Sequence, residues 1–380
     1  MWGFTVDDAL ISIRYARHLA GGVGYRFNAT GPSTDGVTPL PWPFLLALFA
    51  RAPAWTVLVR AKALDVVLHA GAAALVGGVA GRAQSPLAGK LSALAALAVC
   101  LPLAAWGASG METPLATLLC AACAFCIDRP PRAAAFAGLA AAVRPELMPW
   151  AAVVACGLSL AKRERPAAVF GAAAISAAPF AACAVARRIA FGHFAPLAVL
   201  AKPSDLAHGV VYAVAALLAC ALPLLLVAPR ALRAIPPAHR VLAVAFGVHV
   251  AAVVFAGGDS MPYARLFVPV LPSLLVVHLQ IARIARGPWF WLRIGVTLAL
   301  AVAIDAVAAP AGRDVMAERA ALVARARPVL ASARAIAAVD VGWVSAASEA
   351  RIVDLAGLTD PDIAVLPGGH TSKRVSVAML

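Results

Sequence analysis

The chain has 380 residues, of which 63% are hydrophobic and only 13% are charged, and its formal net charge is +14. Soluble domains carry about 25% charged residues, so this composition excludes an ordinary soluble enzyme or binding module. Most of the arginine and lysine lies in short clusters between long apolar runs, as in the cytoplasmic loops of membrane proteins. The positive charge therefore does not indicate nucleic-acid binding, and the partner that the composition indicates is the lipid bilayer.

The chain begins with a predicted amphipathic helix at residues 7–20, which Gly21 and Gly22 are expected to end. Residues 40–52 are apolar but too short to cross a hydrocarbon core of about 30 Å, so we interpret them as interfacial or re-entrant. The longer apolar runs that follow predict about ten spans or membrane-embedded helices. Their predicted bounds are 56–81, 89–107, 112–127, 133–147, 148–161, 166–188, 208–228, 240–256, 264–285 and 290–310.

Four basic clusters separate these runs and indicate a topology. All four can be cytoplasmic at once if residues 133–161 form a hairpin of two segments instead of one helix. This topology brings the polar loops and the C-terminus together on the outer face. The clusters are Asp128–Arg132, Lys162–Arg165, Arg230–Arg240 and Arg283–Arg293, and the outer loops are those at Asp7-Asp8, 107–112, 189–207 and 257–263.

The composition becomes that of a soluble unit near residue 312. The predicted fold class is therefore an all-α polytopic membrane protein with a small α/β extracytoplasmic C-terminal unit. The three predicted regions are an outer loop with the acidic pair and juxtamembrane helices at 1–55, a transmembrane helical domain at 56–311, and the C-terminal domain at 312–380. In the last region we expect a helix at 313–338, strands at Val339–Val344 and Ile352–Leu355, and turns at Thr359–Pro361 and Pro367–Gly369.

Two adjacent carboxylates, Asp7 and Asp8, open the first predicted helix. An acidic pair at this position can cap the helix and interact favourably with its dipole, or it can remove a proton from a substrate. Neighbouring residues of a helix point about 100° apart, so we expect one carboxylate to face a substrate and the other to cap or orient. Taken alone, the pair leaves the two roles evenly balanced.

Further polar groups interrupt the apolar runs or lie in the predicted outer loops. A structural role is open for each of them, as a helix cap, as half of an ion pair or as an interfacial anchor. Gathered on one membrane face, they would instead line a cleft of acidic and basic groups, which is the hypothesis preferred here. The predicted substrate-binding set is Arg14, Glu112, Arg144, Glu146, Lys202, Asp259, Arg265, His370 and Lys373, with Asp7 and Asp8 as the catalytic groups.

Seven cysteines lie inside apolar runs, and the spacing of Cys120, Cys123 and Cys126 resembles a metal-binding motif. Their neighbours are Leu, Ala and Phe, so we interpret them as small buried side chains. No metal site and no disulfide framework is predicted, and a divalent cation is left open as the one candidate cofactor.

Seven motifs, taken in order, cover nearly the whole chain: Asp7–Tyr15, Phe27-Asn28, Asp35–Leu40, Ser109–Pro114, Arg144–Glu146, Gly258–Arg265 and Asp354–Asp360. This ordered set resembles the C-type (GT-C) membrane glycosyltransferases, and within them the terminal β-(1→2)-arabinofuranosyltransferase branch and its relatives. The order of the motifs is more specific for the family than any single motif, and it is less specific for the sugar.

The resemblance implies a multi-pass glycosyltransferase of the bacterial cytoplasmic (inner) membrane, with its active site facing outside the cytoplasm. The enzyme would move a hexosyl or pentosyl group, with arabinofuranose as a candidate, from a polyprenyl-phosphate donor to a glycan or protein acceptor, with inversion. In this family an acidic residue of the first outer loop is the proposed general base, which assigns that role to the Asp7-Asp8 pair. The cations for the departing phosphate would come from Arg144, Lys202, Arg265, His370 and Lys373.

The family places a transmembrane helix ahead of the acidic pair, whereas six residues precede Asp7 here, so we expect a first helix to be missing. Two alternatives to a transferase are kept. A transporter or flippase of a lipid-linked saccharide would also use charged groups among its helices, although the sequence has no internal repeat. A truncated, non-catalytic homologue would account for the missing helix.

Overall fold

The computed structural model describes residues 1–202, 204–285, 287–369 and 371–379, without the side chain of Ala378. Most of these residues are helical. The helices of the N-terminal half are α1 (Asp7–Ala20), α2 (Pro41–Ala47), α3 (Ala54–Arg82), α4 (Leu87–Ala98), α5 (Leu101–Trp106), α6 (Thr113–Phe125), α7 (Pro130–Val143), α8 (Met148–Ala161) and α9 (Pro166–Phe191). The remaining elements are α10 (Leu197–Ala201), α11 (Leu206–Cys220), α12 (Pro229–Ala234), α13 (Pro237–Phe255), α14 (Leu271–Ile284), α15 (Pro288–Arg313), α16 (Val315–Ser332), β1 (Ala335–Ala338), α17 (Val341–Ala347), β2 (Arg351–Asp354) and α18 (Pro361–Ala364).

Four helical segments of the described chain are long and apolar enough to cross a membrane: α3, α9, α13 and the 45-residue segment Pro288–Ser332 that joins α15 to α16. The structure thus supports four spans where about ten spans or membrane-embedded helices were expected, although every predicted segment contains a helix. Five of the other apolar helices have only 10–17 residues, and at about 1.5 Å per residue these are shorter than a hydrocarbon core of about 30 Å.

The hairpin predicted at residues 133–161 is present as α7 and α8, which pack against each other. The helix breaks at Arg144, whose backbone is extended, because Pro145 disfavours a helical conformation in the residue before it. Helix α7 also packs tightly on α9, where Gly138 lies against the backbone of Ser176 with no room for a Cβ. This packing places the Arg144 turn at one end of the bundle.

Helix α1 has the predicted bounds, and Gly21 and Gly22 follow it, the latter with φ of +80°. It is not a surface helix, however, because residues 9–16 are all buried, polar side chains included. Helix α1 packs against α2, α3 and α17, so it lies between the membrane helices and the C-terminal unit. Any group in its first turn is therefore close to both parts of the protein.

The C-terminal unit contains a two-stranded parallel sheet in which Ala335 pairs with Arg351 and Ala338 with Asp354. The prediction of a strand at 352–355 is confirmed within one residue. The strand predicted at Val339–Val344 is wrong, because α17 begins at Val341, and the predicted helix 313–338 stops at Ser332 before β1.

Asp354 organises the loop that follows β2, and we expect Asp354→Ala to lower the free energy of unfolding of this unit by about 1–3 kcal/mol. Its buried carboxylate accepts the Ala356 N–H at 2.9 Å, the Thr359 N–H at 2.7 Å and the Thr359 hydroxyl at 3.0 Å. Limited proteolysis in detergent measures the loss. The exposed Asp362→Ala is the control, and equal protease resistance in both variants would contradict this role.

Candidate functional site

Two cavities meet at the N-terminus of α1 and share Asp8 and Leu358. The inner pocket has a volume of about 30 Å³, which is room for about one water molecule. The outer groove has a volume of about 400 Å³ and is open to solvent. The inner pocket is lined by Asp8, Ile11, Ser12, Gly36, Val37, Thr38, Pro39, Met111, Glu112, Arg144, Ala198, Arg265 and Leu358. The outer groove is lined by Phe4, Thr5, Val6, Asp7, Asp8, Lys202, Ser260, Met261, Pro262, Val315, Arg319, Val339, Asp340, Trp343, Ala356, Leu358 and Thr371.

The two acidic residues of α1 have different surroundings. The carboxylate of Asp7 accepts two backbone N–H groups at the start of α17, from Gly342 at 2.9 Å and from Trp343 at 2.7 Å. The Asp8 side chain is 26% exposed and lies on the wall between the cavities, with its Oδ2 3.8 Å from Nη1 of Arg265. Asp7 therefore fastens the C-terminal unit to α1, and Asp8 is the carboxylate that faces open space.

The pH dependence of stability tests the role of Asp7. Burial raises the pKa of Asp7 to about 8, although the N–H groups of Gly342 and Trp343 act in the opposite direction. The carboxyl group of Asp7 therefore binds its proton more tightly in the folded chain than in the unfolded chain, where an aspartate has a pKa of about 3.9. The resulting stabilisation is complete below pH of about 4 and is lost as the pH rises through about 8.

We expect the thermal unfolding temperature in detergent to fall across this pH window more steeply in the wild type than in Asp7→Asn. Asparagine has no proton to lose, so the variant isolates the contribution of this one group. An identical slope in the two proteins would contradict the assignment.

Arg265 lies between Asp259, the acidic residue of the 257–265 loop, and Asp8. Its Nε donates to Oδ2 of Asp259 at 2.8 Å, and its guanidinium carbon lies 5.6 Å from the centre of the Trp106 ring. Tyr263 and Ala264, just before it, have φ values of 54° and 50°, a strained conformation for residues other than glycine. Residues other than glycine keep such a conformation only where the surrounding structure holds it, and here it lies directly before Arg265.

Asp259 experiences the summed positive charge of this region. Burial acts to raise the pKa of this carboxyl, but the positive charges of Arg265, Lys202 and Arg144 outweigh it and hold the pKa below its usual value. The three cations therefore act on one carboxylate although they come from distant parts of the sequence.

Arg144 lies at the hairpin turn, and only 3% of its side chain is exposed. Its Nη1 donates to Glu112 at 2.6 Å, its Nε donates to Glu146 at 2.6 Å, and its Nη2 also contacts Glu146. Two carboxylates thus neutralise one guanidinium. Arg144 and Glu112 contribute to the wall of the inner pocket, while Glu146 stands behind them and holds the turn.

Among the described residues of the predicted binding set, four line neither cavity: Arg14, Glu146, Asp259 and Lys373. The buried side chain of Arg14 donates to the carbonyl oxygens of Phe27, Ser348 and Ala350. Its hydrogen bonds therefore connect α1 to the C-terminal unit. Lys373 donates to the carbonyls of Ala364 and Leu366 after α18. Both side chains donate to backbone carbonyls, and their predicted role in substrate binding stays a prediction. His370 lies outside the described residues.

Several charged residues beside the cleft were not predicted as site residues. Lys62 and Asp65 lie on α3, where Lys62 donates to the Phe4 carbonyl at 2.6 Å and Asp65 accepts the Gly110 N–H at 2.7 Å. Arg187, at the end of α9, forms a buried ion pair with Asp35 at 2.7 Å. Each interrupts an apolar run, and a charge within such a run is the sequence signal that could have found it. Arg319 lines the outer groove and had no such signal.

The geometry offers no ready-made metal centre: among the residues that the structure describes, no three His, Cys, Asp or Glu side chains are grouped closely enough to hold an ion. The cysteines are accordingly treated as packing residues, and all seven are free thiols, either buried or half-buried. No residue is therefore assigned as a ligand of the divalent cation that the sequence leaves open.

The fold defines a helical membrane protein with a small appended α/β unit. A family model described as "Domain of unknown function (DUF8728)" matches residues 313–380, which is less than a fifth of the chain and spans α16 to the C-terminus. No curated protein and no solved structure matches the chain.

Proposed function

We propose that the protein is a membrane glycosyltransferase that moves a sugar from a polyprenyl-phosphate donor to a glycan or protein acceptor outside the cytoplasm. The single observation that supports it most is the position of Asp8. This carboxylate is half-buried, faces two cavities and lies 3.8 Å from the guanidinium of Arg265. A proton acceptor beside a cation is what an acid–base displacement at a phosphorylated sugar requires.

In the proposed reaction, Asp8 removes the proton of an acceptor hydroxyl. The acceptor oxygen forms a bond to the anomeric carbon from one face, while the bond from that carbon to the phosphate oxygen breaks on the opposite face. The electron pair leaves with the polyprenyl phosphate, so the anomeric configuration is inverted. Asp8 returns the proton to water after the product leaves.

The departing phosphate gains negative charge, and two cations beside the outer groove are placed to stabilise it. Lys202 lines the groove, and Arg265 stands behind Met261 at the wall that the groove shares with the inner pocket. Arg319 adds a third positive charge at the rim, where its nearest carboxylate oxygen, on Asp340, is 3.9 Å away. Arg144 is neutralised by Glu112 and Glu146, so we assign it the positioning of the wall.

The outer groove fits a small sugar phosphate. Its volume of about 400 Å³ lies within the range of about 300–1,000 Å³ that is usual for small-molecule sites. The candidate sugar, arabinofuranose, is proposed on the resemblance alone. The proposed location is a membrane, since polyprenyl-phosphate sugars are lipid-anchored, and the resemblance alone suggests the bacterial cytoplasmic membrane.

A mass-spectrometric comparison of surface glycans and glycoproteins tests the proposal in cells. Deleting the gene is expected to remove one sugar from an extracytoplasmic glycan, and the wild-type gene is expected to restore it. Complementation by Asp8→Asn should leave the sugar missing at equal protein abundance. Glycans that are the same with and without the protein would overturn the proposal.

A further inference from the structure

The 35–38 loop, which forms one wall of the inner pocket, is wrapped around a single arginine from a membrane helix. Arg187 lies near the C-terminal end of α9, and it is one of only three buried residues on that helix. Its Nε donates to Oδ2 of Asp35 at 2.7 Å, and its Nη2 donates to the carbonyls of Val37 and Thr38. One guanidinium thus donates hydrogen bonds to three acceptors within four residues of the loop.

The wrapped segment faces the proposed reaction centre. Gly36, Val37 and Thr38 line the inner pocket opposite Asp8 and Arg265. The other supports of the segment are the Tyr15 hydroxyl, which accepts the Gly36 N–H at 3.0 Å, and the Leu197 N–H, which donates to the Asp35 carbonyl at 3.3 Å. Of these supports, Arg187 makes the only ion pair.

We propose that Arg187 is a positioning residue, which holds the 35–38 loop against Asp8 so that the acceptor hydroxyl is aligned for attack. The inference rests on the proposed function, and it assigns a role in that reaction to a residue outside both cavities. A misplacement of about 1 Å in a site wall can lower turnover by about 100-fold, so loosening this loop is expected to affect the chemical step.

Arginine suits this task for a geometric reason. Its planar, forked donors can reach a carboxylate and two carbonyls at once, whereas lysine has a single ammonium group on a flexible stem. The Asp35 carboxylate and the Arg187 side chain are 0% and 3% exposed, so their attraction is weakly screened by water. The directional hydrogen bonds from Arg187 therefore fix the orientation of the loop, and the ion pair with Asp35 adds electrostatic attraction.

A transfer assay with purified protein in nanodiscs tests the proposal. Arg187→Lys is expected to lower kcat by about tenfold or more and to change the donor KM by less than about threefold, because the cations of the outer groove are untouched. The matched control is Arg188→Lys, since Arg188 is exposed and bonds only to the Gly192 carbonyl among the described residues. An unchanged kcat in Arg187→Lys, or an equal loss in Arg188→Lys, would overturn the proposal.

A double variant separates positioning from stability. Arg187→Met with Asp35→Leu replaces the buried pair by apolar side chains of similar size, a change that often leaves stability intact. We expect its unfolding temperature to stay within a few degrees of the wild type while kcat remains low. A double variant that folds and turns over like the wild type would show that the pair serves stability alone, which would overturn the proposal.

Loop accessibility gives a readout that needs no sugar transfer. In a Thr38→Cys background, a membrane-impermeant maleimide should label position 38 at least about tenfold faster when Arg187 is lysine, because position 38 is half-buried and a loop that Arg187 no longer holds exposes it more often. Peptide mass spectrometry distinguishes this site from the native cysteines. Equal labelling rates would overturn the inference, whereas a wild-type protein that transfers no sugar would overturn the proposed function and leave the labelling result intact.

Discussion

Replacing Asp8 by asparagine is expected to lower the turnover of sugar transfer by about 10²–10⁴-fold, the range that general-base catalysis contributes. Asparagine has nearly the same shape but cannot accept the proton of the acceptor hydroxyl. The side chain is 26% exposed, and among the described residues its charged partner is Arg265 at 3.8 Å, so we expect its loss to leave the fold intact. Steady-state kinetics with a polyprenyl-phosphate sugar, together with the unfolding temperature, measure both expectations.

Asp7→Asn is the matched control, because it makes the same change one residue earlier on the same helix. Asp7 accepts the N–H groups of Gly342 and Trp343, and an asparagine oxygen can replace only one of the two carboxylate oxygens. We therefore expect a loss of stability of about 1 kcal/mol below pH of about 4, where the contribution of Asp7 to the wild type is complete, and a turnover within about tenfold of the wild type. Full activity in Asp8→Asn, or loss of activity in Asp7→Asn alone, would contradict the assignment of the general base to Asp8 and would favour Asp7 in that role.

Replacing Arg265 by glutamine is expected to lower turnover by about 10²–10³-fold, as the loss of one donor to a developing anion does in other enzymes. The substitution removes the positive charge nearest to Asp8 and leaves Asp259 without its 2.8 Å partner. The donor KM should rise as well, because the same cation acts on the phosphate before and after the bond breaks. Turnover and donor KM, measured together, check this expectation.

The companion variant for Arg265 is the double change Arg265→Gln with Asp259→Asn. It removes the buried carboxylate that the single variant leaves unpaired, so it should recover the unfolding temperature. It should not recover turnover, because the cation beside the phosphate is still missing. A double variant that regains wild-type turnover would show that Arg265 serves only to neutralise Asp259.

The sequence predicts the composition of the cleft better than the role of each group in it. Asp8, Glu112, Arg144 and Arg265 lie in polar breaks between apolar runs, and such breaks meet at one end of a helical bundle. Arg14 follows no such rule, because its partners Ser348 and Ala350 are more than 330 positions away in sequence. A local pattern carries no information on contacts of that separation.

The different roles of Asp7 and Asp8 also depend on contacts that a local sequence pattern cannot predict. Helical geometry predicts that the two side chains diverge, since neighbouring residues point about 100° apart. It cannot predict which of them meets a partner, because the start of α17 that Asp7 caps is folded from residues 341–347. The strand predicted at 339–344 failed for the same reason: a carboxylate from the other end of the chain stabilises a helix there.

Helix bounds are predicted well for α3 and α9 but not for α11, which ends at Cys220, or α14, which begins at Leu271. The number of helices long enough to span is also smaller than the apolar runs predict. Helix α3 at Ala54–Arg82 and α9 at Pro166–Phe191 extend the predicted runs by only a few residues. The run at 89–107 is split by an extended Cys100, which leaves α4 with 12 residues. Hydropathy reports how apolar a run is, whereas crossing a bilayer also needs an unbroken helix of sufficient length.

The most direct test of the account is the fate of a polyprenyl-phosphate sugar labelled in both the lipid and the sugar, presented to the wild-type protein in nanodiscs. We predict that polyprenyl phosphate is released only when a saccharide or peptide acceptor is present, and that the labelled sugar appears on the acceptor with inverted anomeric configuration. The Asp8→Asn protein should bind the donor and release nothing. A donor that stays intact with the wild-type protein, whatever acceptor is supplied, would contradict the account.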